Sequence, residues 1–299
     1  ASAAVGLELV RADGELERIG DGDDRLPGAV VGLGTLGIVT ALTLAVEPAF
    51  RMRQDVYEGL PFATAIDRLD EILSSADAVS LFTDWSEPGF HQVWVKRRVQ
   101  AGDEHPGPLD LRPPALAQTS PATAARHPIR GMSAVSCTPQ LGEVGPWHER
   151  LPHFRLDHQP SAGDELQSEF IVRRQDGAAA LDALAALHDQ LAPLTLVTEI
   201  RSIAADDQWL SPAFGRDSIS FHFTWRPDWP SVREALPAIE GALEPFGLRP
   251  HWGKLFTVRP ERVRDAYPMR PAFVELARSF DPERRFSNRF LETYLFGED

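Results

Sequence analysis

The chain has 299 residues, 43% of them hydrophobic and 25% charged, the balance of a globular protein of one large or two smaller domains. Its formal net charge of −14, from 44 acidic against 30 basic residues, repels phosphate backbones and anionic membranes, which argues against a nucleic-acid partner and against a membrane surface. A single cysteine, Cys137, leaves no internal disulfide and no Cys-x-x-Cys zinc or redox site, so no metal is expected and a reducing cytoplasm is the natural setting.

The start, Ala1 to Val5, has no basic segment ahead of an apolar core; it reads as a cut through a larger domain and not as a signal peptide. Leu7 to Val10 and Glu15 to Ile19 flank Asp13-Gly14, a hairpin signal. From Leu26 to Val46 there is no charge, and Gly28 and Gly32 stand at the Gly-x-x-x-Gly spacing of membrane helices. Further glycines, three threonines and the β-branched run Ile38-Val39-Thr40 favour instead two short buried strands joined by a tight turn. Gly32-Leu33-Gly34-Thr35-Leu36-Gly37 also matches a dinucleotide-binding fingerprint, with Glu58 at a suitable distance downstream. Such a site needs a helix opening at the third glycine, whereas Ile38 to Val46 is rich in strand formers and stops at Pro48, so NAD is not expected.

From Phe50 onward the periodicity predicts a strand from Arg51 to Tyr57, an amphipathic helix from Phe62 to Leu73, and strands from Val79 to Thr83 and His91 to Arg98. Gly102 to Pro160 is rich in proline and poor in periodicity, an irregular excursion. The order then returns, with a strand from Leu166 to Arg173, a helix from Ala178 to Leu191, strands from Leu194 to Ile203 and Ser218 to Trp225, and a helix from Trp229 to Phe246. Two strand-helix-strand-strand halves imply an α+β fold with one mixed, largely antiparallel sheet covered by helices on one face. The other face is free to roof over a ligand.

Side chains alternate along a strand, so Glu199 and Arg201 share one face while Thr198 and Ile200 share the other. In the next strand Ser220, His222 and Thr224 oppose Ile219 and the aromatic residues. If the two strands are neighbours, a carboxylate, a guanidinium, an imidazole and hydroxyls converge. The solvent-facing side of a half-buried sheet produces the same alternation, and the pattern alone leaves both readings open. His251-Trp252-Gly253-Lys254 adds two polar heads around an indole after the last helix, and Lys254 is the only lysine between Lys96 and the C-terminus.

These motifs, with Phe286-Ser287-Asn288-Arg289-Phe290-Leu291, Gly34 to Thr40 and Arg53 to Pro61, resemble the alditol (xylitol-type) oxidase branch of the sugar-lactone and sugar-alcohol oxidases, within the vanillyl-alcohol-oxidase-type flavoproteins. The resemblance spans nearly the whole chain and is weakest from Gly102 to Arg130. It implies a C-terminal part of an FAD-binding domain at 1–50, a substrate domain at 51–256 and a return segment at 257–299. It implies FAD as cofactor, with Gly37, Ile38, Val39 and His251 at cofactor-contacting positions. Glu199, Arg201, Thr224 and Lys254 match positions that hold a small polyol, with His222 close by. The family's preceding segment, with its pyrophosphate loops, flavin-linking histidine and a substrate-contacting serine, has no counterpart, and the chain alone is expected to carry little FAD.

The implied reaction is oxidation of a primary hydroxyl of xylitol or sorbitol to the aldose, with molecular oxygen giving hydrogen peroxide. Removing hydride from carbon and a proton from oxygen calls for a positive or basic group beside the reacting hydroxyl, which makes Lys254 and Arg201 the candidate catalytic pair. Glu199 can accept hydrogen bonds from neighbouring hydroxyls, and Thr224 can bind another polyol oxygen. An aldonolactone oxidase is a second reading. A non-catalytic remnant or partner subunit, unable to hold FAD alone, is a third.

Overall fold

The computed structural model describes residues 1–100, 112–158 and 165–297. Parts of the proline-rich excursion, 101–111 and 159–164, lie outside the described residues; its described part holds only two- and three-residue elements. The chain groups into two compact units, one of Ala1–Glu47, Ala204–Asp217 and Val258–Asp299, the other of Pro48–Ile203 and Ser218–Thr257.

The first unit carries an antiparallel sheet of β1 (Ala4–Val10), β2 (Leu16–Ile19) and β3 (Ile38–Leu44) in the order β2-β1-β3. Asp13-Gly14 turns the first hairpin, with Gly14 at φ 87°. The expected pair of buried strands between Leu26 and Val46 is not formed. Leu26–Val30 is a short helix with Pro27 in its first turn, where a missing N–H costs nothing, and Leu33 and Gly34 at φ 50° and 77° then turn the chain into β3. Every residue of β3 is exposed, Ile38, Val39 and Leu42 among them, and among the described residues this edge strand pairs only with β1. A strand follows Gly37, where a dinucleotide site needs a helix. Gly37 itself sits at φ 145°, and a Cβ there would lie 2.3 Å from the carbonyl oxygen of Val10. Close approach of β1 and β3 is what demands this glycine. The helix Arg270–Phe280 buries Phe273, Leu276, Ala277 and Phe280, with the Arg11 guanidinium 5.2 Å over the Phe280 ring. Among the described residues no helix is long and apolar enough to cross a membrane.

The second unit is built on β4 (Arg51–Glu58), β5 (Ala78–Thr83), β6 (Gln92–Val99), β7 (Leu166–Arg173), β8 (Thr195–Ile203), β9 (Ser218–Trp225) and the two-residue β10 (Arg249–Pro250). Their order across one antiparallel sheet is β4-β6-β5-β8-β9-β7-β10. The first half contributes β4, β6 and β5 and the second β8, β9, β7 and the short β10, and the halves meet where β5 pairs with β8, Phe82 opposite Glu199. Helices α1 (Phe62–Leu73), α2 (Gly177–Ala185) and α3 (Trp229–Leu243) share one core with one face of this sheet, Leu69, Leu181 and Leu236 packing with Ile200, Phe221 and Trp225. Two indoles satisfy the buried hydroxyls on that face, Trp85 donating to Thr198 at 2.8 Å and Trp225 to Ser168 at 3.0 Å. Among the described residues, the opposite face carries the small hydrophobic cluster of Val56, Phe82, Trp94, Cys137 and Val197.

Two helices end earlier than their periodicity implies. α2 stops at Ala185, and His188–Leu191 forms a separate turn. α3 stops at Leu243 because Pro245 cannot continue the hydrogen-bond ladder, and a 3₁₀ turn carries the chain to Gly247 at φ 71°. That left-handed glycine turns the chain into β10, which places His251 to Lys254 alongside β7.

Candidate active site

Register decides which polar groups meet. β9 lies between β8 and β7, with His222 opposite Glu199 on one side and Glu169 on the other. Arg201 stands opposite Ser220, and Gln167 opposite Thr224. All are on the face away from the helices, since their strand neighbours Ile200, Phe221, Phe223 and Phe170 fill the helix-side core. Beyond β7, the His251 amide donates to the Glu169 carbonyl at 2.9 Å and the Leu255 amide to that of Gln167 at 2.9 Å. The 251–254 turn is thereby pinned to the edge of the sheet, and Lys254 reaches back over it.

Two buried carboxylates organise the cluster. Glu169 accepts from Lys254 Nζ at 2.6 Å, from Arg201 Nη2 at 3.2 Å and from the Ser220 hydroxyl. Burial pushes its carboxyl up, but the Lys254 charge and hydrogen bond, with Ser220 and Arg201, bring it down to about 2. Glu199 accepts from His153 Nε2 at 2.9 Å, with Arg201 Nη1 at 3.6 Å and His222 Nδ1 at 3.8 Å. Burial again opposes ionisation, and the His153 hydrogen bond with the surrounding positive charge holds Glu199 well below the usual carboxylate range. Arg201 is pushed down by burial and up, more strongly, by Glu199 and Glu169. It is the bridge between the two carboxylates.

Glu199, Arg201, His222 and Lys254 are therefore brought together, and Thr224 lies on the same face one pleat along from His222, its hydroxyl making no hydrogen bond among the described residues. His222 Nε2 meets Gln167 Oε1 at 3.3 Å. His251 is half-buried, which lowers its imidazole, and its Nδ1 accepts the Gly253 amide at 3.1 Å. In the neutral ring the proton then sits on Nε2, leaving that nitrogen as a donor. Gly37, Ile38 and Val39 belong to the other unit, at the start of exposed β3.

Sequence reasoning passed over Glu169, Gln167, His153 and Lys96. Alternation within β7 places Gln167 and Glu169 on the face opposite Ser168, Phe170 and Val172, a pattern as strong as that of β8. His153 lies in the irregular excursion, where no periodicity marks it. It links Glu199 to Lys96, whose Nζ is 3.0 Å from His153 Nδ1.

A family model for D-arabinono-1,4-lactone oxidase matches residues 164–294. The alditol oxidase of Streptomyces sp. (strain IKD472 / FERM P-14339) is 46% identical over 97% of this chain and 67% of its own length. The L-gulono-1,4-lactone dehydrogenase of Mycobacterium tuberculosis (strain ATCC 25618 / H37Rv) is 27% identical over 97% of this chain and 68% of its own. Among solved structures, cholesterol oxidase from B. sterolicum superposes with a TM-score of 0.71 at 15% identity, over 98% of this chain and 69% of that one. A VAO-type flavoprotein from Myceliophthora thermophila gives 0.60 at 11% identity, over 94% of this chain and 55% of that one. The structural likenesses speak to the fold, and it is the 46% identity along nearly the whole chain that decides the family. It shows that this chain belongs to the alditol oxidase family.

Proposed function

We propose that the protein oxidises a primary hydroxyl of an alditol such as xylitol or sorbitol to the aldose, with FAD as cofactor and molecular oxygen as acceptor, giving hydrogen peroxide. The observation that carries this reading is the array Glu199–Arg201–Glu169–Lys254 on the open sheet face, two ionised carboxylates interleaved with two cations. Such a surface offers donors and acceptors in alternation, which suits a chain of hydroxyl groups, each at once donor and acceptor.

The residues assigned to the flavin have suitable chemistry. His251 presents an Nε2–H donor, and Ile38 and Val39 begin an apolar strand whose outer edge is unpaired among the described residues, with backbone N–H and C=O groups that suit ring carbonyls and nitrogens. FAD, when bound, would supply the redox chemistry, as acceptor of the hydride and donor of electrons to oxygen. What the chain supplies is position and charge. Lys254 and Arg201 place positive charge beside the reacting hydroxyl oxygen, and Glu169 orients both. Glu199 accepts hydrogen bonds from the neighbouring hydroxyls, and Thr224 and His222 bind further along the polyol.

The lactone oxidase reading has its own support in the family model over residues 164–294. Anaerobic addition of xylitol or of a 1,4-lactone to the FAD-loaded protein separates the two. Bleaching of the flavin by the polyol is the expected result, and bleaching by the lactone alone overturns the alditol reading. The cytoplasm is the compartment we infer, because Cys137 is a free, buried thiol that burial pushes up to about 11. Fractionation of the producing cells tests this; recovery outside the cytoplasm refutes it.

A further inference from the structure

Lys96 and Lys254 are the two lysines among the chain's 30 lysines and arginines. Lys254 touches the candidate site directly. Lys96 sits on β6 with 2% of its surface exposed, on the same sheet face, since Val93 and Val95 fill the helix-side core while Trp94 joins the small cluster opposite. A buried lysine is costly unless its protons are used. Lys96 Nζ donates to the Leu151 carbonyl at 2.5 Å and meets His153 Nδ1 at 3.0 Å, and the other ring nitrogen, Nε2, meets Glu199 Oε1 at 2.9 Å. The imidazole stands edge-on to Trp94 and Phe82, with centroids at 5.2 and 5.6 Å.

We propose that Lys96 is a positioning residue: by donating to His153 Nδ1 it holds that ring as the Nε2–H tautomer, whose proton fixes the Glu199 carboxylate beside Arg201 and His222. The inference rests on the reading that Glu199 binds the polyol. The opposite tautomer would set an N–H on Nδ1 against the Lys96 donors and a lone pair on Nε2 against a carboxylate, two repulsions in a buried place. Burial keeps the imidazole below its ordinary value, against the pull of Glu199, which favours the neutral ring this chain of donors requires. The charged or titratable groups that bear on Lys96 are Glu199, His153 and the Cys137 thiol. Burial brings the amine down to about 7. Its titration leaves the arrangement intact, because a neutral amine still has two protons, one for Leu151 and one for His153. Methionine, of similar shape, has none.

The test is nitrogen NMR of the histidine rings in the full chain, with the His153 signals identified by their loss in His153→Gln. Across about pH 6.5 to 8.5, His153 is expected to carry its proton on Nε2 alone. In Lys96→Met the Nδ1 signal should move off its acceptor position, and with FAD and xylitol the KM should rise about tenfold with kcat changed less than about threefold. A wild-type ring protonated on Nδ1, whether neutral or doubly protonated, overturns the inference, as does a Lys96→Met ring with unaltered protonation. An altered ring with unaltered KM supports the Lys96–His153 lock and refutes instead the polyol role of Glu199.

Discussion

Glu169→Gln keeps the size of the side chain and removes its charge. Ser220 and Arg201, which share Oε1, can still donate to the remaining oxygen, but Lys254, on Oε2, then faces an amide NH2, donor against donor, where a carboxylate oxygen had accepted. The side chain is 5% exposed, so solvent does little to relieve this. The wild-type carboxyl is held at about 2 against an ordinary 4.5, burial being overcome by Lys254, Ser220 and Arg201. That gap corresponds to ~3 kcal/mol of folding stability at neutral pH. The folded value lies below the unfolded one, so this contribution is complete above about 4.5 and is lost as pH falls through about 2. By linkage it amounts to ~1.4 kcal/mol at pH 3. Urea unfolding of wild type and variant should therefore differ by ~3 kcal/mol at pH 7 and by about half that at pH 3. A difference below ~0.5 kcal/mol at pH 7, or one that does not shrink in acid, would refute the account of Glu169 as the carboxylate on which both cations depend.

Lys96 reverses the sign: its folded value of about 7 lies below the ordinary 10.5, so the cost of burying its charge is full below about 7 and gone above about 10.5. Wild type should gain ~2 kcal/mol relative to Lys96→Met between pH 7 and pH 9, read from urea curves at the two pH values; parallel profiles would show that Lys96 is not desolvated. In the first unit, Gly37→Ala puts a Cβ 2.3 Å from the Val10 oxygen at φ 145° and should cost ~3 kcal/mol or more, seen as a lowered melting temperature. At the candidate site, Lys254→Met should slow anaerobic flavin reduction by xylitol roughly a hundredfold with FAD content little changed; reduction within about threefold of wild type would remove Lys254 from the mechanism. Thr224→Val, which removes a hydroxyl without a hydrogen-bond partner among the described residues, should leave the urea midpoint unchanged and raise the xylitol KM; an unchanged KM would place the polyol elsewhere.

The parts of this protein that were legible in the sequence are those where one strand or helix carries its own message. Alternation within Thr195–Ile203 and Ser218–Trp225 put Glu199, Arg201 and His222 on one face because a pleated strand admits no other arrangement, and the repeated element order placed the helices on the other face. Burial of Leu26–Val46 was misjudged for the converse reason: an apolar run records preference for a partner, and whether anything packs against the faces of β3 lies outside the segment itself.

The partners of the site residues were hidden for a related reason. Glu199 and Glu169 are 30 residues apart and meet only because β9 separates their strands, with His222 between them. His153 comes from a segment with no period at all, and Lys96 from the far half of the sheet, across β5 and β8. Yet one local signal did bear on Lys96. In a chain that uses arginine almost everywhere, lysine at a buried strand position asks for a cation that can approach neutrality and still donate, a demand that arginine, always protonated and forked, does not meet. Rarity of a residue type therefore pointed at the same network that register assembles, and the two lysines end on its two carboxylates, Lys254 directly on Glu169 and Lys96 on Glu199 through His153. Charge balance across the array follows from that pairing: each buried carboxylate has its own lysine, and Arg201 is left shared between them, its side chain the most exposed of the array at 40% and so the one best placed to reach a ligand.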